Sequence, residues 1–181
     1  MDKDRMKWMS IQETKTWMMA VLIEGEDLIK LSNESVSLMD DFFDQPGVNL
    51  QMKNRMDYIR ELSRVREYYF VIALNKVQKW LNVAVKYDEE YQQMIDEINE
   101  KIPYIKEVRN MREHEIEYFE GKGNKQKDFI RGDDNVMSDA TSTINNPDNY
   151  LVGGRISVQQ VNVLFRKLHP KAKLKFENMF S

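Results

Sequence analysis

The stretch Leu62–Ala84, LSRVREYYFVIALNKVQKWLNVA, decides the fold. Leu62, Val65, Tyr69, Ile72, Val77, Trp80, Leu81 and Ala84 recur at helical spacing as a broad stripe. Phe70, Val71, Ala73 and Leu74 add apolar surface outside it. A helix apolar over so much of its girth is central and packs on more than one side. The pattern predicts this helix over about Met52 to Lys86.

Working outward, the chain upstream predicts a first helix from about Trp8 to Phe43. Met18, Leu22, Gly25, Ile29, Ser32, Val36, Met39 and Phe43 alternate steps of four and three, the seam of a bundle helix. The DQPG at 44–47 ends it, because a residue before proline leaves the helical region. Downstream, Asp88–Lys101 predicts a third helix with Tyr91, Ile95 and Ile98 inward. Pro103 suits the first turn of a fourth, where its missing N–H costs nothing. That helix runs to about Glu120 and stops at the glycines of GKGN, 121–124. The same GKGN lacks the strand and the Lys-Ser/Thr of a phosphate-binding loop.

Beyond it the pattern changes. Val136–Ile144 and Tyr150–Ile156 are β-prone runs joined by NNPDN. Ser157 and Gln160 fit a capping box that opens a short helix through Val161, Leu164, Phe165 and Leu168, closed at Pro170. His169 beside that proline sits where a cation meets the negative end of a helix, a structural position. The expected architecture is therefore mainly α. A four-helix bundle occupies 1–124, and a basic appendage of β-hairpin plus short helix occupies 125–181. From Tyr150 on, Arg155, Arg166, Lys167, Lys171, Lys173 and Lys175 face a single acid, Glu177.

Composition excludes several classes of function. With 181 residues and 41% hydrophobic content the chain can bury a core. It has no cysteine, so disulfides, thiolate nucleophiles and Cys-ligated metal sites are absent. Its two histidines, His114 and His169, argue against a His-rich metal centre, and no metal or cofactor is expected. The formal charge of −3 is not that of a protein that coats nucleic acid by bulk charge. No apolar run approaches bilayer-spanning length and the N-terminus MDKDRMKWMS has no secretory core, so the expectation is a soluble cytoplasmic protein.

One segment carries chemistry: Arg109-Asn110-Met111-Arg112-Glu113-His114, in the fourth helix. The spacing resembles the Rx4-6H motif of the HEPN superfamily, in the form where a polar residue follows the arginine. Members are compact helical bundles, and many are metal-independent ribonucleases of toxin–antitoxin, abortive-infection and CRISPR-associated systems. The resemblance covers roughly residues 8–120. It implies an endoribonuclease of antiphage defence or a toxin–antitoxin pair, with a composite site where two copies meet as a homodimer, RNA as substrate, and an antitoxin or defence-system partner. The tyrosine found two residues after the histidine in one subgroup of these toxins is Ile116 here, which argues against regulation by its modification.

The residue types suit that chemistry. RNA is cleaved when the ribose 2′-OH attacks the adjacent phosphate, if a group moves protons and a cation steadies the phosphorane. Histidine is the side-chain type suited to moving a proton at cellular pH, and His114 supplies it. Arg109 offers a planar fork to phosphate oxygens. Asn110, four residues before His114, shares its helix face and can orient the imidazole or hold a phosphate. On a helical wheel Ile105, Val108, Ile116 and Phe119 form an apolar arc, and Arg109 and Arg112 fall within or beside it. Arginines on a core stripe imply snorkelling or a helix enclosed on two sides, as a twofold interface would enclose it. Arg112, with Lys171, Lys173 and Lys175 of the tail, is a candidate RNA contact. The alternative is a non-catalytic bundle of the same kind that binds RNA or a partner protein. In it Arg109 and Glu113 pair along the helix and His114 is a surface residue.

Overall fold

Asn49 opens the central helix. In the computed structural model, which describes residues 2–44, 49–132, 137–146 and 149–179, its side chain accepts hydrogen bonds from the amides of Gln51 and Met52 and so caps α2 (Leu50–Ala84). That satisfies donors the first turn cannot pair internally. The helix α1 (Lys3–Asp44) lies along α2, and α3 (Tyr91–Lys101) and α4 (Ile105–Glu113) cover other sides of α2. The chain is mainly helical, and its central helix is the one the apolar girth pointed to. The DQPG turn lies beyond Asp44, the last helical residue, with residues 45–48 outside the described ones.

α3 buries Tyr91, Ile95 and Ile98 and α2 buries Val77, Leu81 and Ala84 as the spacing predicts, but the buried faces of α1 and α2 differ from it in part. On α1 the buried positions include Ile11, Thr14, Met18, Val21, Gly25, Leu28 and Ser32, also at alternating three and four, with Ser10 and Leu31 beside them. The expected seam shares Met18, Gly25 and Ser32 with it, but Met39 and Phe43 are exposed. On α2, Phe70, Val71, Ala73 and Leu74 are buried, whereas Val65 and Tyr69 face outward. α2 also buries Glu67. The expected fourth helix is two: α4 stops at His114, whose ψ of 28° leaves the helical region, and α5 (Glu115–Phe119) begins beyond it. The break turns Ile116 and Phe119 out of the expected apolar arc to 71% and 64% exposure.

A short helix α6 (Gln126–Phe129) leads into β1 (Ile130–Gly132), which pairs antiparallel with β2 (Met137–Asp139). β3 (Thr143–Asn146), β4 (Asn149–Val152) and β5 (Ile156–Ser157) form a second, three-stranded antiparallel sheet. The run expected as one strand over 136–144 is therefore two. Its Val136 lies outside the described residues, as do Pro147 and Asp148 of NNPDN. Asp139 divides the run: its carboxylate accepts from the amides of Thr141 and Ser142 and from the Thr141 hydroxyl, an Asx turn that stops the ladder. β4 gives way to β5 through Gly153 and Gly154, both at φ 62°, a conformation that favours glycine. At Gly153 a Cβ would also stand 2.9 Å from the Ala140 carbonyl oxygen.

Ser157 caps α7 (Val158–Glu177), accepting from the Gln160 amide at 3.3 Å. α7 does not stop at Pro170; it continues to Glu177 with the proline inside it. Nor is it peripheral. Tyr150, Val152, Ile156, Val158, Val161, Leu164, Phe165, Leu168 and Ala172 belong to the same buried cluster as Met18, Leu28, Phe70, Leu74 and Ile98. The core thus crosses the 124/125 boundary, with α7 packed along α1. Gly25 permits the close approach: a Cβ there would lie 2.2 Å from Oδ1 of the buried Asn162 on α7. A smaller cluster of Met111, Tyr118, Phe129 and Ala140 sits under the α4–α5 break.

Candidate functional site

The break at His114 sets the geometry of the motif. Its amide still donates to the Asn110 carbonyl at 3.1 Å, and its own carbonyl accepts from the Tyr118 amide at 3.2 Å. Tyr118 is anchored by stacking on Phe129, with ring centroids 5.0 Å apart, and its hydroxyl accepts from the Lys125 amide. His114 therefore stands at a corner held from both sides, with its side chain 54% exposed. The imidazole Nδ1 lies 3.1 Å from Glu117 Oε1, and no hydrogen bond engages Nε2 among the described residues. A carboxylate on Nδ1 favours the proton there and leaves Nε2 as a base.

His114 and Asn110 line one cleft of about 610 Å³, together with Lys106, Glu107, Glu117 and Lys125. Lys125 lies 3.7 Å from Glu107, and Lys106 forms no ion pair among the described residues. Glu107 also receives Arg131 at 2.9 Å and the nearly buried Arg155 at 3.5 Å, so its charge is shared among three cations. Burial holds the Arg155 pKa below its ordinary value, as does the nearby Arg131, while Glu107 pulls it the other way.

The sequence-predicted residues do not all meet here. Arg109 is not among the residues lining the cleft. It pairs with Glu113 one turn on and donates to Asn110 Oδ1 at 2.9 Å, and its Nε is buried without a partner. Arg112 goes inward. Its side chain is 8% exposed; Nη2 donates to Glu67 Oε2 at 2.7 Å and Nε to the Ala140 carbonyl at 3.0 Å. Glu67 accepts in addition from the hydroxyls of Tyr150 and Thr143. The enclosure that the arginine-bearing stripe implied is supplied, for Arg112, by α2 and the 140–143 segment of the same chain.

The tail lysines lie on the last turns of α7, away from the cleft lining. Lys175 is half-buried and bridges Asp88 and Glu90, each at 2.6 Å. Lys173 lies 3.7 Å from Glu177, and Lys171 faces a hollow shared with Glu90 and Glu97. Arg166 and Lys167 reach Glu26 and Glu97. His169 is inside α7, not at its end, and burial, Lys173 and Lys15 lower its pKa.

Sequence reasoning missed Glu117, Lys106 and Lys125. The first two carried a signal: Glu117 is three residues after His114, and Lys106 four before Asn110. Lys125 comes from a loop and carried none. Among the described residues no group of three or more His, Asp or Glu side chains could hold a metal ion, and no helix is long and apolar enough to cross a membrane. No protein-family model, curated protein or solved structure matches the chain.

Proposed function

We propose that the protein is a HEPN-like, metal-independent endoribonuclease, acting in antiphage defence or with an antitoxin, whose proton carrier is His114. The observation that carries the reading is the placement of His114: exposed at a helix break, Nδ1 on Glu117, on the lining of a cleft that also presents Lys106 and Lys125. Nε2 takes the proton of a ribose 2′-OH as that oxygen bonds to the adjacent phosphorus. The bond from phosphorus to the 5′ oxygen breaks, and the leaving oxygen takes a proton from the imidazolium of a second copy in a composite homodimer site. The products are a 2′,3′-cyclic phosphate and a 5′-OH. Lys106 and Lys125 hold phosphate charge, and Glu117 positions the imidazole.

One observation favours the second reading, a non-catalytic module of the same kind that binds RNA or a partner protein. Arg109 is committed to Glu113 and Asn110 rather than to the cleft. In the catalytic reading RNA or the second copy displaces Glu113 from it. Single-turnover cleavage of RNA in EDTA separates the two. The expected result is cyclic-phosphate ends at full rate in chelator, a loss of ~10²–10⁴ in rate for His114→Ala, and binding close to wild type for that variant. Cleavage by His114→Ala at the wild-type rate, or cleavage that needs added Mg²⁺, rules out this chemistry. Binding without cleavage establishes the second reading.

A further inference from the structure

A second cleft, of about 510 Å³, lies between α1, α2 and the strands β3 and β4, and the nuclease reading makes no use of it. Its floor is the Glu67 network. A carboxylate 1% exposed opens a cavity only where its charge is compensated, and here Arg112, Thr143 and Tyr150 supply that between them. The network holds four elements in register: α2 through Glu67, α4 through Arg112, β3 through Thr143 and β4 through Tyr150. Thr141 and Ser142 on one rim are fixed by the Asp139 turn. The floor is therefore rigid and carries no uncompensated negative charge.

The walls and mouth differ in chemistry. Both walls mix apolar and hydroxyl side chains: Leu31, Ser35 and Met39 on α1, Met56, Ile59 and Ser63 on α2. Two guanidinium groups, Arg60 and Arg64, stand on exposed turns of α2 at the cleft. Arg60 is shared with Asp57 at 2.6 Å. Arg64 forms no ion pair among the described residues. A cleft of this size with apolar side chains on both walls and a few convergent polar groups is the form small-molecule sites take.

We propose that this cleft binds a small amphipathic oxyanion: a carboxylate or phosphate head on Arg64 and Arg60, with its apolar body against Met39, Met56 and Ile59. Arginine's planar fork matches either head, and the Ser35 hydroxyl can donate to an oxygen the guanidinium leaves free.

The test is calorimetric titration of the full chain with 1-naphthyl phosphate, 1-naphthoate and neutral 1-naphthol. Saturable one-site binding of at least one anion is expected, and whichever binds identifies the head group. The naphthol should bind at least ~10-fold more weakly, because it lacks the charge-assisted bonds. Arg64→Gln should weaken the anion by a similar factor without moving the melting temperature, since Arg64 is exposed and outside the ion pairs of the described residues. Ser35→Trp, which fills the opposite side of the cleft, should abolish binding. Four results overturn the proposal: no saturable binding of either anion by ~1 mM; naphthol binding as tightly as the anions; Arg64→Gln without effect; or loss with Arg64→Gln but not with Ser35→Trp. The last places the anion in the separate hollow where Arg64 meets Tyr68 and Tyr69.

Discussion

Arg112 shows at the scale of one residue how motif and fold divide the same six positions. It is two residues from His114, yet its guanidinium is spent on Glu67 and the Ala140 carbonyl, inside the protein. Breaking a buried pair by removing one partner leaves the other charge unpaired, at ~3–5 kcal/mol. Arg112→Met should therefore lower the unfolding free energy by that amount in urea titration, while the Glu67→Met/Arg112→Met pair should lose less than the two single losses added. RNA binding by folded Arg112→Met should match wild type, because the side chain is not presented to solvent. If binding falls with stability unchanged, Arg112 contacts the ligand after all. His169 makes a separate prediction. Burial, Lys173 and Lys15 hold its pKa below the ordinary 6.5, so the folded state prefers the neutral ring. Its contribution is intact above the unfolded value and is lost as pH falls below that value and through the lowered one. His169→Gln should flatten the difference in melting temperature between about pH 7 and about pH 5. A variant with the wild-type slope would remove His169 from the account.

The element scale turns on Pro170, where the local rule ends α7 and the protein does not. Its missing N–H leaves the Arg166 carbonyl without its usual partner, and its ring crowds that turn. The helix survives because its last two turns are anchored by tertiary contacts. Ala172 is fully buried, Lys175 is held by Asp88 and Glu90, and Phe176 packs on Trp8 with centroids 6.3 Å apart. Restoring the hydrogen bond should then stabilise: Pro170→Ala should raise the unfolding free energy by up to ~3 kcal/mol in urea titration. A loss of stability would mean the local bend is required for Phe176 to reach Trp8. Local rules stop a helix at proline because they do not contain the contacts beyond it. The same limit governs the site. The spacing of Arg109 and His114 is legible in the sequence. The break at His114 is not, since no glycine or proline marks it and the Tyr118–Phe129 stacking beyond it is a tertiary contact. Spacing misplaces the buried face of α2 at Val65 and Tyr69 for a related reason. An apolar run nearly all round a helix leaves the direction of the core to its neighbours, and a buried Glu67 on that face runs against the hydrophobic pattern itself.

Over the whole molecule, the charge asymmetry and the core describe one joint. Of the excess cations after Tyr150, Arg166, Lys167 and Lys175 meet acids from earlier elements: Arg166 with Glu26, Lys167 with Glu97, Lys175 with Asp88 and Glu90. The Arg166 and Lys167 pairs are at the surface and each contributes little, about 0–1 kcal/mol, while Lys175 is half-buried between its two acids. They set the register of a helix whose apolar face does the main work of attachment. Val158, Val161, Leu164, Phe165 and Leu168 are all buried in the cluster that contains Leu28, Leu74 and Ile98. Removing 125–181 would strip that cover from α1 and take Thr143 and Tyr150 away from Glu67, leaving its charge to Arg112 alone. The fragment 1–124 should therefore keep helical signal in the far ultraviolet and lose cooperative unfolding. It should bind ANS, the behaviour of a bundle with an unclosed core. Substituting the surface pairs alone, as in Arg166→Gln/Lys167→Gln, should leave a cooperative transition shifted by no more than about 1–2 kcal/mol. Calorimetry of the fragment and of that double variant decides the matter. A sharp melting transition for 1–124 would show that the bundle closes without α7, and that the tail is an appendage docked on a finished domain. A broad, heat-poor transition, with the double variant still cooperative, would show that the hydrophobic face of α7 completes the core.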